Sequence, residues 1–216
     1  MKIASFDVDA QKGFTPICPD ELPVTGGDEI VEDLNNLANL CDIRVGSKDA
    51  HPYEPIWLVN ENRPMLTPLD YPDADKAWNR HCVVGTKGFE LLDGLPSPTE
   101  YDFFVWKGQE PDLHPYGACF HDIQENLETG VFDYLRNKGV ETVILGGLAF
   151  DFCVKTTAIQ LAKNGFKVAI YKKSTRSIAE PLEKLAIEEL KDYNVDLLNT
   201  YEELLAYTNA AKGETK

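Results

Sequence analysis

At 216 residues and 43% apolar content, the chain can bury one large core, which excludes an intrinsically disordered protein. Its 21 basic and 36 acidic side chains leave a formal charge of −15, which argues against a nucleic-acid or anionic-membrane partner, since both need a basic face. No run approaches the ~18 apolar residues of a membrane span, the N-terminus meets Asp7 too early for a signal peptide, and five cysteines without a C-x-x-C pair read as thiols of a reduced, cytoplasmic protein.

In chain order, Ile3 to Val8 is a short apolar run ending in Asp9, and it predicts a first strand. A turn-rich segment follows. Ile30, Val31, Leu34, Leu37, Ala38 and Cys41 then recur at helical spacing, with Asp28 and Glu29 placed to suit the helix dipole. Ile43 to Val45 predicts a second strand. Residues 50 to 80 carry five prolines and little periodicity, so 52–80 is expected to be a long structureless loop with a functional role. Phe103 to Trp106 predicts the third strand, and Ile123, Leu127, Val131 and Leu135 mark a helix that His121 would begin. Thr142 to Leu145 is a strand closed by Gly146-Gly147, and a helical stripe from Val154 to Ala162 ends at Gly165, a C-cap position. A strand at Val168 to Ile170, a helix over 180–192, a strand at Val195 to Leu198 and a helix over 200–210 complete the pattern. Strands alternating with helices of this length predict a single-domain α/β fold: a doubly wound, mostly parallel six-stranded sheet with helices on both faces. The domain spans 1–210, with 211–216 as a tail.

In such a sheet, ligands bind beyond the carboxyl ends of the strands. Those positions hold Asp9, Ser47-Lys48-Asp49-Ala50-His51, Lys107-Gly108, and the run Gly146 to Cys153. A thiol at a helix start feels the positive end of the dipole, so Cys153 is a candidate nucleophile with a stabilised thiolate, against the competing reading of a buried structural cysteine. Asp9 suits a base whose pKa is raised by burial, and Lys107 suits a cation holding the charged pair, against a strand-end cap and a surface cation. Asp49 and His51, two apart in extended chain, face the same way and can share one cation, and a second histidine lies at 81. Such donors suit Zn²⁺, Fe²⁺ or Mn²⁺ better than Mg²⁺ or Ca²⁺, although D-x-H alone is a weak signal. His114 is left unassigned.

Taken together, these segments resemble the nicotinamidase/pyrazinamidase branch of the isochorismatase-like cysteine hydrolases. Asp9-Ala10-Gln11-Lys12-Gly13-Phe14 is similar to D-x-Q-x-D-F, Ser47-Lys48-Asp49-Ala50-His51-Pro52 to S-x-D-x-H-P, His81-Cys82-Val83-Val84-Gly85-Thr86-Lys87-Gly88 to H-C-V-x-G-T-x-G, and Gly147 to Val154 to G-x-A-x-D-x-C-V. Two departures stand out: Gly13 replaces an aspartate, and Tyr116-Gly117-Ala118-Cys119 stands where Y-S-x-F is expected.

The resemblance implies hydrolysis of nicotinamide to nicotinate and ammonia through a thioester. Asp9 takes the proton of Cys153, Lys107 holds the pair, and the N–H groups of Ala149 and Cys153 form the oxyanion hole beside a cis Leu148–Ala149 peptide. It further implies one divalent transition metal, zinc first with iron or manganese next, on Asp49, His51 and His81, gripping the pyridine nitrogen. Phe14 and Trp78 sandwich the ring, and Leu148 and Tyr116 complete the substrate wall. Glu54 and Glu61 are loop carboxylates without a counterpart. A homo-oligomer is expected, as the family commonly self-associates. Two alternatives remain: a related hydrolase acting on a carbamoyl or vinyl-ether substrate, and a metal-binding member without catalysis.

Overall fold

The structure, a computed structural model, describes residues 2–213. The elements run β1 (Lys2–Val8), α1 (Val31–Asn39), β2 (Ile43–Asp49), β3 (Pro68–Tyr71), β4 (Ala74–Lys76), β5 (Phe103–Lys107), α2 (Val131–Asn137), β6 (Val140–Leu148), α3 (Lys155–Lys163), β7 (Lys167–Arg176), α4 (Glu180–Asp192), β8 (Asp196–Leu198) and α5 (Tyr201–Lys212). Six strands form one sheet in the order β5-β2-β1-β6-β7-β8, and every neighbouring pair is parallel.

Alternation along the strands sends side chains to both faces, as a doubly covered sheet requires. Ala4, Phe6 and Val8 of β1 point into a core with Phe132 and Leu135 of α2 and Ala158 and Leu161 of α3. Ile3 points the other way, to Leu37 of α1 and Leu204 of α5. Truncating a fully buried leucine such as Leu135 to alanine costs about 2–5 kcal/mol.

The chain leaves β1 toward β2 and β5, then returns to add β6 on β1's other side, so the strand order reverses between β1 and β6. That reversal opens a crevice at their carboxyl ends. The two strands approach very closely there: a Cβ on Gly147 would stand 1.9 Å from the Val8 carbonyl oxygen, so only glycine fits.

Three expectations need correction. The helix expected from Ile123 to Leu135 begins only at Val131. Upstream, the Asp122 carboxylate accepts the N–H groups of Asn126 and Leu127 at 2.8 and 3.0 Å, a local turn that competes with helix. His121, expected at the helix start, lies in this turn, with its N–H on the Leu127 carbonyl. The 52–80 segment is not structureless: β3 and β4 pair antiparallel within it. The Arg63 guanidinium also donates to the carbonyls of Ile56 at 2.8 Å and Leu58 at 3.0 Å. At the end of the chain, residues 211 and 212 of the expected tail continue α5, and 214–216 lie outside the described residues.

Candidate active site

Asp9 follows β1 with φ +46°, a left-handed conformation that aspartate tolerates better than most residues. Ser47 of β2 donates to its Oδ1 at 2.6 Å. Lys107, the last residue of β5, is wholly buried. Its Nζ stands 3.0 Å from Asp9 Oδ2, pairs with Asp49, donates to the Pro115 carbonyl at 3.1 Å, and lies 3.9 Å from Cys153 Sγ. Cys153 arrives from β6 through a cis Leu148–Ala149 peptide and one turn of π-helix, Phe150–Val154, that leads into α3. The Asp9 and Asp49 carboxylates and the Cys153 thiol place ligating atoms within 4.8 Å of one another. Asp9 Oδ1 takes the Ser47 hydroxyl, and Oδ2, in ion-pair contact with Lys107, is the oxygen left for the thiol proton.

Burial raises the Asp9 carboxyl, Lys107 draws it down and Asp49 pushes it up again, leaving it at about 6. Burial opposes charge on Lys107 too, but Asp49 and Asp9 overcome it and hold the ammonium well above its ordinary value. For Cys153, burial raises the thiol; Lys107 offsets only part of this, and the two carboxylates add to the rise. The stabilised resting thiolate expected from the helix-start position is therefore corrected. Burial and the two carboxylates favour the thiol form of Cys153 beside Asp9.

Asp49 faces two ways. Its Oδ1 meets Lys107, while Oδ2 lies 3.5 Å from His51 Nε2 and 4.0 Å from His81 Nε2. His51 Nδ1 donates to the Gly108 carbonyl at 3.0 Å, and His81 Nδ1 to that of Asn79 at 2.6 Å. A carbonyl can only accept, so both rings keep their lone pair on Nε2, aimed at the same spot as Asp49 Oδ2. Gly108 is required here: a Cβ at its φ of +71° would stand 2.7 Å from His51 Nδ1. Burial, reinforced by neighbouring His51, lowers His81 to about 3 and keeps it neutral, as a ligand must be. His51 Nε2 is buried without any hydrogen-bond partner. A carboxylate and two oriented imidazoles fit a divalent transition metal. Glu54 and Glu61 are exposed on the surface and take no part.

Between the strand-end groups and the imidazoles, one cavity is lined by Phe14, Trp78, His81, Tyr116, Ala149 and Cys153, among others, including His114. Trp78 Nε1 donates to the Tyr116 hydroxyl at 3.2 Å, which in turn donates to Asp75 of β4 at 2.6 Å. Leu148, expected on the substrate wall, instead packs in a core cluster and contributes no lining.

Gln11, quoted in the sequence motif without a role, clamps Asp49: its amide accepts the Asp49 N–H at 2.8 Å and donates to the Asp49 carbonyl at 2.9 Å. Both motif departures are filled by other side chains. A Cβ at Gly13 would stand 2.3 Å from Glu21 Oε2, and one at Gly88 would stand 2.0 Å from Glu21 Oε1. The Glu21 carboxylate occupies that glycine cradle and accepts the Cys82 N–H at 2.8 Å, beside His81. Likewise a Cβ at Gly117 would stand 2.1 Å from Gln160 Oε1, which accepts the Cys119 N–H at 3.2 Å. Cys119 is buried in the sheet core and does not reach the cavity.

Comparison with known proteins yields a match of residues 8–202 to the Isochorismatase domain. The chain is 32% identical over 203 residues to a nicotinamidase of Acinetobacter baylyi, covering 92% of this chain and 86% of that protein. Its fold is similar to that of an Acinetobacter baumanii nicotinamidase/pyrazinamidase, with a TM-score of 0.82 and 28% identity over 92% of this chain and 96% of the other. A Pyrococcus horikoshii pyrazinamidase solved in complex with zinc matches with a TM-score of 0.74 and 28% identity over 93% and 100% of the two chains.

Proposed function

The chain belongs to the isochorismatase domain family, and we propose that within it this protein is a nicotinamidase, converting nicotinamide and water to nicotinate and ammonia. The observation that carries this reading is the pairing of a Cys153–Asp9–Lys107 cluster with the Asp49, His51 and His81 donor set across one aromatic-walled cavity. A related hydrolase for carbamoyl or vinyl-ether substrates has no use for the imidazole set, and a non-catalytic member has none for a thiol beside an open carboxylate oxygen.

The ring lies against Phe14 and Trp78, where offset stacking favours an aromatic substrate. Asp49, His51 and His81 hold a divalent metal, zinc by the chemistry of the donors, and when bound it supplies a Lewis-acid partner for the pyridine nitrogen. At the other end Asp9 Oδ2 takes the proton of Cys153 as sulfur attacks the carboxamide carbon. Lys107 stabilises the carboxylate and the forming thiolate together. The N–H groups of Ala149 and Cys153 receive the oxyanion, each such donor contributing about 3 kcal/mol in comparable sites. Asp9 then returns its proton to the leaving nitrogen, ammonia departs, and water hydrolyses the thioester with Asp9 again as base. The five cysteines are unpaired, in keeping with the cytoplasm we assign to the protein, and we expect a homo-oligomer.

Release of ammonia from nicotinamide by the metal-loaded protein tests the reading. Benzamide keeps the carboxamide but lacks the ring nitrogen and should be a poor substrate. No release from nicotinamide, or equal turnover of benzamide, refutes it.

A further inference from the structure

His114 lies in the loop after β5, and the chain pins its backbone on three sides. Its N–H donates to the Asp73 carbonyl at 2.7 Å, the preceding carbonyl of Leu113 accepts Trp57 Nε1 at 3.0 Å, and the following carbonyl of Pro115 accepts Lys107 Nζ at 3.1 Å. The ring itself is treated differently. It is 4% exposed, and neither Nδ1 nor Nε2 has a hydrogen-bond partner. Burying an imidazole with both nitrogens unsatisfied is costly, and such groups in a well-held backbone point to a missing partner.

The surroundings say which partner. The ring stacks on His51 at 5.1 Å and 15°, and Trp57 closes the edge of both rings. His51, His81 and His114 each place a ring nitrogen within 4.8 Å of the other two. Nitrogens bonded at about 2.0–2.1 Å to one ion lie no more than ~4.2 Å apart, so the three rings would draw together on binding it. No carboxylate or carbonyl competes for His114, in contrast to the Nδ1 atoms of His51 and His81.

We propose that His114 is a third imidazole ligand of the metal held by Asp49, His51 and His81. The inference rests on the metal-holding reading above and sharpens it. Three nitrogens and one carboxylate oxygen favour zinc or a late first-row metal and disfavour Mg²⁺, whose chemistry needs oxygen ligands. Four protein ligands also leave fewer positions on the ion for solvent.

The protein stripped of metal and reloaded with one equivalent of zinc decides the matter by X-ray absorption at the zinc edge. Three histidine ligands are expected; a coordination sphere with two overturns the proposal. Because this measurement uses the unaltered chain, it does not depend on how a variant folds. His114→Phe, which keeps the stacked ring without a donor, should lose zinc affinity by more than about 100-fold in competition with a chromophoric chelator. Unchanged affinity in folded His114→Phe also overturns it. Zinc retained on two imidazoles and lost in His51→Ala leaves the metal site standing while His114 falls from it. No zinc binding by the unaltered protein removes both.

Discussion

Asp9, Lys107 and Cys153 leave the ends of β1, β5 and β6, whereas His81 and His114 come from loops with no regular element beside them. The first group is placed by the sheet: parallel ladders fix where each strand ends, and the crevice between β1 and β6 follows from strand order. The second is placed by scattered hydrogen bonds among the loops, such as the His114 N–H on the Asp73 carbonyl, Trp57 Nε1 on the Leu113 carbonyl and His81 Nδ1 on the Asn79 carbonyl. Asp49 belongs to both, with one oxygen on Lys107 and the other turned to the imidazoles. In the proposed reaction that difference becomes a division of labour: the sheet would carry the covalent chemistry, and the loops recognition of the ring.

The sharpest break of this division is Cys153→Ala. It should lower turnover by on the order of 10⁴-fold or more, while circular dichroism and metal content stay unchanged. Full activity in the folded variant would end the assignment of the nucleophile. Asp49→Asn strikes both ends at once, and kcat/KM should fall by about 10³-fold with both kcat and KM affected. A loss confined to KM would mean that Asp49 serves the imidazole end alone. His51→Ala should act on that end only, raising KM for nicotinamide by about 10–100-fold with kcat changed little, together with loss of metal by elemental analysis. The smallest effect is a shift along the pH axis. Asp9 must be a carboxylate to act as base, so kcat/KM should fall as pH drops through about 6. The Ser47 hydroxyl favours that carboxylate, so its removal in Ser47→Ala raises the Asp9 pKa and moves the acid limb to higher pH. A limb that stays put or moves down would show that Asp9 is not the titrating base.

Legibility in the sequence follows the same line. The six strands were readable because buried parallel strands are continuous apolar runs, and with them came Asp9, Asp49, Lys107 and Cys153 as strand-end residues. His81 came from a resemblance between motifs, without a periodic signal. His114 could not be placed, because its position depends on its N–H reaching the Asp73 carbonyl and on Trp57 holding the carbonyl before it, both far away in the chain. The hairpin of β3 and β4 was hidden by prolines, one of which, Pro68, opens β3 where an edge strand tolerates it. The short α2 was misread because Ile123 and Leu127 happen to keep helical spacing while Asp122 folds them into a turn.

The Glu21 carboxylate in its glycine cradle links two glycines to the imidazole end of the site. Positions 13, 21 and 88 are coupled: a side chain added at Gly13 would begin 2.3 Å from the Glu21 carboxylate, one at Gly88 2.0 Å from it, and either must turn that carboxylate aside. Turning Glu21 aside takes the acceptor from the Cys82 N–H beside His81, so a change of bulk at either glycine is felt at the imidazole end of the site.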